Sequence, residues 1–94
     1  MTLRFEWDDE KARRNLSKHG VSLEEAQTVF DDDLATIRND EDHSVVENRE
    51  IIVGRAESGR LLLVSFTSRG EAFRIINARE LTKSERQAYE EART

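Results

Sequence analysis

Apolar and polar residues alternate at the start of the chain. Leu3, Phe5 and Trp7 fall on one side and Arg4 and Glu6 on the other, the period of a half-buried strand. Asp8 then stands where a helix N-cap belongs, and Asp9 and Glu10 put negative charge in the first turn, where it complements the helix dipole. The helix predicted from there ends near His19. Lys18 and His19 bring cations to its last turn, and Gly20 supplies the left-handed residue that closes it. Ser22, with Glu25 three residues on, predicts a capping box for a second helix with the apolar stripe Leu23, Ala26, Val29 and Phe30, ending in Asp31-Asp32-Asp33.

The pattern then shortens to strands. Leu34–Arg38 reads as a brief strand, and 39–44 as an exposed polar turn. Glu50–Val53 and Arg60–Thr67 flank a turn containing Gly59, and Gly70 marks another turn before Ala72–Asn77. Strands this closely spaced imply an antiparallel meander. Thr82 with Glu85 predicts a second capping box, opening a helix that runs to about Ala92. The expected fold is α+β: strand, two helices, an antiparallel sheet of three or four strands, and a C-terminal helix, with helices on one face of a curved sheet. Without proline, linker composition or repeats, residues 1–94 read as one domain.

Composition narrows the chemistry. With no cysteine there is no disulfide framework and no thiolate, and His19 and His43 have no second ligand at metal spacing, so neither metal nor cofactor is expected. The longest apolar run, Leu61–Val64, is too short to span a bilayer, and the start shows no basic end followed by an apolar stretch; the expected location is the cytoplasm. The net charge of -5 argues against a general polyanion binder, but its distribution is uneven. Ten acidic residues lie between Val21 and Glu50 against Arg38 and Arg49, whereas Arg55, Arg60, Arg69, Arg74 and Arg79 face only Glu57 and Glu71 in the stretch they span. Separated signs suggest an acidic surface for a basic partner and a basic surface for phosphate; a simply well-solvated small fold gives the same sums.

On a helical wheel Asp8, Lys11, Asn15, Lys18 and His19 share an arc of about 100°, while Arg13, Arg14 and Ser17 face elsewhere. An imidazole beside an ammonium suits proton transfer and phosphate stabilisation, yet Lys-His-Gly is also an ordinary helix ending. In the last strand, alternation puts Phe73, Ile75 and Asn77 on one face and Ala72, Arg74 and Ile76 on the other. Arg74, Arg79 at the strand's end and Arg60 at the start of its neighbour could hold a phosphodiester bidentately, or could each pair with a nearby carboxylate. Tyr89 on the last helix could stack on a base or simply pack, and Lys83 adds a cation beside the Thr82 cap.

The run from Phe5 to Phe30, with its F-E-W-D, K-A, N, K-H-G-V-S, E-E-A and V-F elements at matching spacing, resembles the opening of the BrnT family. Gly59–Thr67, Arg74–Arg79 and Thr82–Tyr89 resemble its second half, so the likeness covers nearly the whole chain. Departures are Asp32-Asp33 for the usual Asp-Pro, Asn77 for a serine, and Asn48-Arg49 for Glu-Arg. The resemblance implies a RelE-like fold, ribonuclease toxicity, and a hetero-oligomer with a BrnA-like antitoxin whose ribbon-helix-helix end contacts DNA. This chain would then touch DNA only through that partner. The expected reaction is metal-independent cleavage of RNA by its own 2′-hydroxyl. Lys18, His19, Arg74 and Arg79 are the catalytic candidates, and Arg60, Lys83 and Tyr89 the RNA-binding ones. Asp31, Asp32, Asp33, Asp40, Glu41 and Asp42 are the candidate antitoxin contacts. The alternative is a non-catalytic partner-binding protein or a co-repressor of the antitoxin.

Overall fold

The structure, a computed structural model, describes residues 3–41 and 48–92. Its strands are β1 (Arg4–Glu6), β2 (Thr36–Asn39), β3 (Arg49–Arg55), β4 (Leu61–Arg69) and β5 (Ala72–Glu80). The α-helices are α1 (Asp9–His19), α2 (Leu23–Gln27) and α3 (Lys83–Glu91), with a 3-10 turn over Thr28–Asp31 behind α2. All five strands lie in one sheet, ordered β1-β5-β4-β3-β2. Strands β2 to β5 are the expected antiparallel meander. The first strand joins the outer edge of β5 in parallel, Phe5 opposite Phe73 and Glu6 opposite Arg74. Parallel pairing needs a long crossover, which the intervening helices and strands supply. Among the described residues no helix is long and apolar enough to cross a membrane.

The helix ends form where the side chains dictate. Asp8 accepts from the Glu10 N–H at 2.8 Å, and Gly20, with φ of 69°, closes α1 by donating to the Leu16 carbonyl. Thr82 and Glu85 form a complete capping box on α3. The box on α2 is only half made. Ser22 Oγ accepts from Glu25 N–H at 3.0 Å, but the Glu25 carboxylate turns to Arg60, a stronger, charge-assisted partner.

Every residue from Leu61 to Thr67 is buried, so β4 is covered on both faces. Leu62, Val64 and Phe66 face α1 and α2 and pack with Val21, Leu23, Ala26, Val29, Ile52, Ile75 and Ala78. There Phe30 lies 4.9–5.4 Å, ring to ring, from Phe5, Phe66 and Phe73 and ties four elements together. Such aromatic pairs contribute about 0.5–1.5 kcal/mol each beyond area burial. On the opposite face Leu61 and Leu63 cluster with Ile51 and Leu81 beneath Tyr89 of α3. The helices therefore do not share one face: α3 covers the second.

Strand β5 also departs from strict alternation. Phe66 pairs with Ile75 and Ser65 with Asn77, which leaves Ile76 as an extra, bulged residue. Downstream of it the faces exchange, so Asn77 and Arg79 join Arg74 on the α3 side, while Ala78 enters the core with Phe73 and Ile75. Alternation alone had placed Asn77 with the two core residues.

Candidate active site

Strand β1 covers β5 only as far as Arg74, and beyond that point α1 takes its place along the edge. The two run in the same direction: Glu6, two residues before Asp8, pairs with Arg74 at one end, and Asn15 reaches Ala78 at the other. Asn15 is 5% exposed. Its Nδ2 donates to the carbonyls of Ala78 and Val21, each at 2.9 Å, and its Oδ1 accepts from the Ala78 N–H at 3.0 Å. The side-chain amide thus stands in for the missing strand and fixes how α1 sits on the sheet.

Between α1 and the β5 edge lies an open groove of about 320 Å³, lined by Lys11, Arg14, Asn15, Lys18, His19, Ile76 and Asn77. No lining residue is acidic. Among the described residues no salt bridge engages Lys11, Arg14 or Lys18. In a chain of net charge -5 this is a local concentration of positive charge beside an imidazole. The wheel brought Lys18 and His19 together correctly. It set Arg14 aside, yet Arg14 lies only about 40° beyond Lys18, and its long stem reaches the groove.

The three arginines do not converge. Arg60 sits at the α1–α2 turn, where Nε donates to Glu25 Oε2 at 2.8 Å and Nη2 to Glu25 Oε1 and, at 3.0 Å, to the Gly20 carbonyl. Glu80 lies 3.5 Å from its Nη1. This pairing holds the Glu25 carboxyl below its ordinary range. Arg60 is therefore a brace behind His19 and Gly20, not an open phosphate ligand. Arg74 and Arg79 share a β5 face with Asn77, and each is ion-paired: Arg74 to Glu6 at 2.9 Å, and Arg79 to Glu85 through both terminal nitrogens at 2.7 and 2.9 Å. The Arg79 guanidinium, with the Thr82 N–H, lowers the Glu85 carboxyl to about 2. Asn77 joins the two regions, since it lines the groove and lies about 7 Å along β5 from Arg79.

Of the remaining candidates, Tyr89 lies away from the groove. It packs against the second cluster and lines a depression on the α3 face with Leu63, Leu81 and Val53. Lys83 opens α3 and is exposed. Asp31, Asp33 and Glu41 are exposed, as an antitoxin contact requires. Asp32 is used inside the fold: Oδ2 accepts from Arg55 N–H at 2.7 Å and Oδ1 from Leu34 N–H at 3.0 Å. Asp40 is buried, 8% exposed. Asp42 and His43 lie outside the described residues.

Comparison with known proteins accords with this architecture. A family model described as "Ribonuclease toxin, BrnT, of type II toxin-antitoxin system" matches residues 7–85. The crystal structure of the Brucella abortus ribonuclease toxin BrnT superposes with a TM-score of 0.67 over 87% of this chain and 100% of that one, at 20% sequence identity. Among curated protein sequences, none matches significantly. The family match takes in α1, the groove and the Arg79–Glu85 pair, and the chain belongs to the BrnT family of ribonuclease toxins of type II toxin–antitoxin systems.

Proposed function

We propose that this toxin cleaves single-stranded RNA without a metal ion, at the groove between α1 and the β5 edge, and that a basic, BrnA-like ribbon-helix-helix antitoxin neutralises it. The observation that carries the proposal is the groove's lining: three cations, an imidazole and two amides, with no carboxylate to ligate a divalent ion. In this scheme the RNA 2′-hydroxyl attacks the adjacent phosphorus and the P–O5′ bond breaks, leaving a 2′,3′-cyclic phosphate and a 5′-hydroxyl end. Lys18 and Arg79 neutralise the charge gathering on the phosphorane oxygens. His19 takes the proton from the 2′-hydroxyl or supplies one to the departing oxygen. Arg74 anchors the strand farther along the β5 face, and Lys83 lies at the margin.

Arg79 takes part through its two remaining donors, because one guanidinium carries five, Glu85 occupies two and the Glu80 carbonyl a third. The exposed acids Asp31, Asp33 and Glu41 form the counter-surface for the antitoxin. The test is regulated expression of the chain alone, with total RNA mapped for 5′-hydroxyl ends. Growth arrest, new 5′-hydroxyl ends and relief by the antitoxin are the expected result. Normal growth at confirmed soluble expression would overturn the proposal and leave the co-repressor role as the better account.

A further inference from the structure

The groove extends past the residues that the proposed chemistry uses. Lys11, Arg14 and Lys18 follow one another along α1 at intervals of three and four residues. Their axial spacings are about 4.5 and 6 Å, against ~3.4 Å per nucleotide in a stacked strand. The spacing leaves room for each long side chain to reach a different phosphate. Like charges at these spacings destabilise a helix, and no carboxylate lines the groove to relieve them. Asp8 lies near Lys11, but its carboxylate is taken up by the Glu10 and Lys11 N–H groups as the helix cap. The rest of α1 is arranged otherwise: Arg13 lies on the far side, in a depression that also contains Asp9 and Glu24.

We infer that Lys11 and Arg14 form a phosphate track that continues the Lys18–His19 site along the β5 edge and holds the nucleotides on one side of the scissile bond. The inference rests on the ribonuclease reading of that site and adds to it a substrate length: the toxin grips a strand across several phosphates, not a single linkage. An acidic protein segment would meet the same cations. RNA fits better because the track opens directly onto His19 and Asn77, where cleavage is placed.

The test uses a fluorescent single-stranded deoxyoligonucleotide, which has no 2′-hydroxyl and so survives the proposed chemistry. Its binding to the full chain is measured as a function of salt. The double variant Lys11→Gln/Arg14→Gln keeps good helix formers at both positions. Losing two single-strand phosphate contacts lowers the magnitude of the log–log salt slope by about 1.4, and affinity at low salt falls roughly tenfold. The exchange Lys11→Arg/Arg14→Lys restores the slope, and Arg13→Gln leaves it unchanged. An unaltered slope in the double variant, or an equal loss in Arg13→Gln, overturns the track. So does a double variant that binds the oligonucleotide normally but loses a polyglutamate peptide, which reassigns the groove to a protein partner. Normal track behaviour with no cleavage of the matching RNA supports the track and removes the ribonuclease reading alone.

Discussion

The side-chain amide of Asn15 hydrogen-bonds both the N–H and the carbonyl of Ala78, 63 residues away in sequence, and so replaces a strand at the β5 edge. Leaving those buried groups without partners costs about 1–3 kcal/mol. Asn15→Leu is expected to destabilise by that amount in urea unfolding. Asn15→Asp keeps an acceptor for the Ala78 N–H but loses both donated bonds and sets a carboxylate against two carbonyls, so it should be at least as damaging. Equal stability of Asn15→Leu and the parent chain would show that the amide does not hold α1 in place.

His19→Gln retains hydrogen-bonding capacity and cannot carry a proton near neutral pH. It should fold, bind antitoxin, lose roughly a hundredfold or more in cleavage rate, and flatten the pH–rate profile. Lys18→Ala should lower the rate by a similar factor. A His19→Gln protein that cleaves normally would transfer the proton-moving role to another group in the groove.

The Arg79–Glu85 pair joins stability to pH. The folded Glu85 carboxyl lies at about 2, below its ordinary value of 4.5. Because the folded value is depressed, the pair stabilises fully above pH ~4.5, and this contribution is lost as pH falls towards 2. Urea midpoints measured across that window should show a loss that Glu85→Gln abolishes. The groups are about a third exposed, so the contribution is at most about 1 kcal/mol. Arg79→Ala should therefore melt close to the parent chain yet cleave roughly a hundredfold more slowly. A variant that is strongly destabilised while each folded molecule cleaves at the normal rate would make Arg79 purely a helix anchor.

The acidic stretch should divide into two kinds of residue. Asp31→Asn and Asp33→Asn should leave folding unchanged, slow antitoxin association and weaken its dependence on salt. Asp32→Asn should instead destabilise the chain, because its carboxylate binds the Arg55 N–H. Gly54→Ala should act in the same way: an added Cβ would lie 2.9 Å from both Asp32 Oδ2 and Ala35 Cβ, and such overpacking costs about 1–3 kcal/mol. An on-rate indifferent to salt would remove the charged role of Asp31 and Asp33.

Local chemistry was legible in the sequence where the interacting residues are neighbours. The Asp8 cap, the Gly20 closure, the Thr82–Glu85 box and the meander all depend on residues a few positions apart. The approach of Lys18 and His19 followed from helix period alone, but the reach of Arg14 depends on side-chain length, which a wheel ignores. Partners of Asn15, Arg60 and Arg79 could not be read, because tertiary folding selects among many carboxylates and carbonyls; Glu25 left its own helix cap for Arg60. The unbroken Leu61–Val64 run lacks the alternation of a strand with one wet face and implies cover on both faces, which α1 and α2 supply on one side and α3 on the other.

The bulge at Ile76 gives this strand an unusual genetics. Loss of one codon elsewhere in β5 would throw every downstream side chain onto the wrong layer, sending Arg79 inward and Ala78 outward. Loss of the Ile76 codon would instead straighten the ladder, with Ile75 and Asn77 still opposite Phe66 and Ser65. Such an allele would keep the core while losing one wall of the groove. With cleavage placed at the groove as proposed, β5 contains a position where heredity would disarm the toxin by deletion and still deliver a folded protein for its antitoxin to bind.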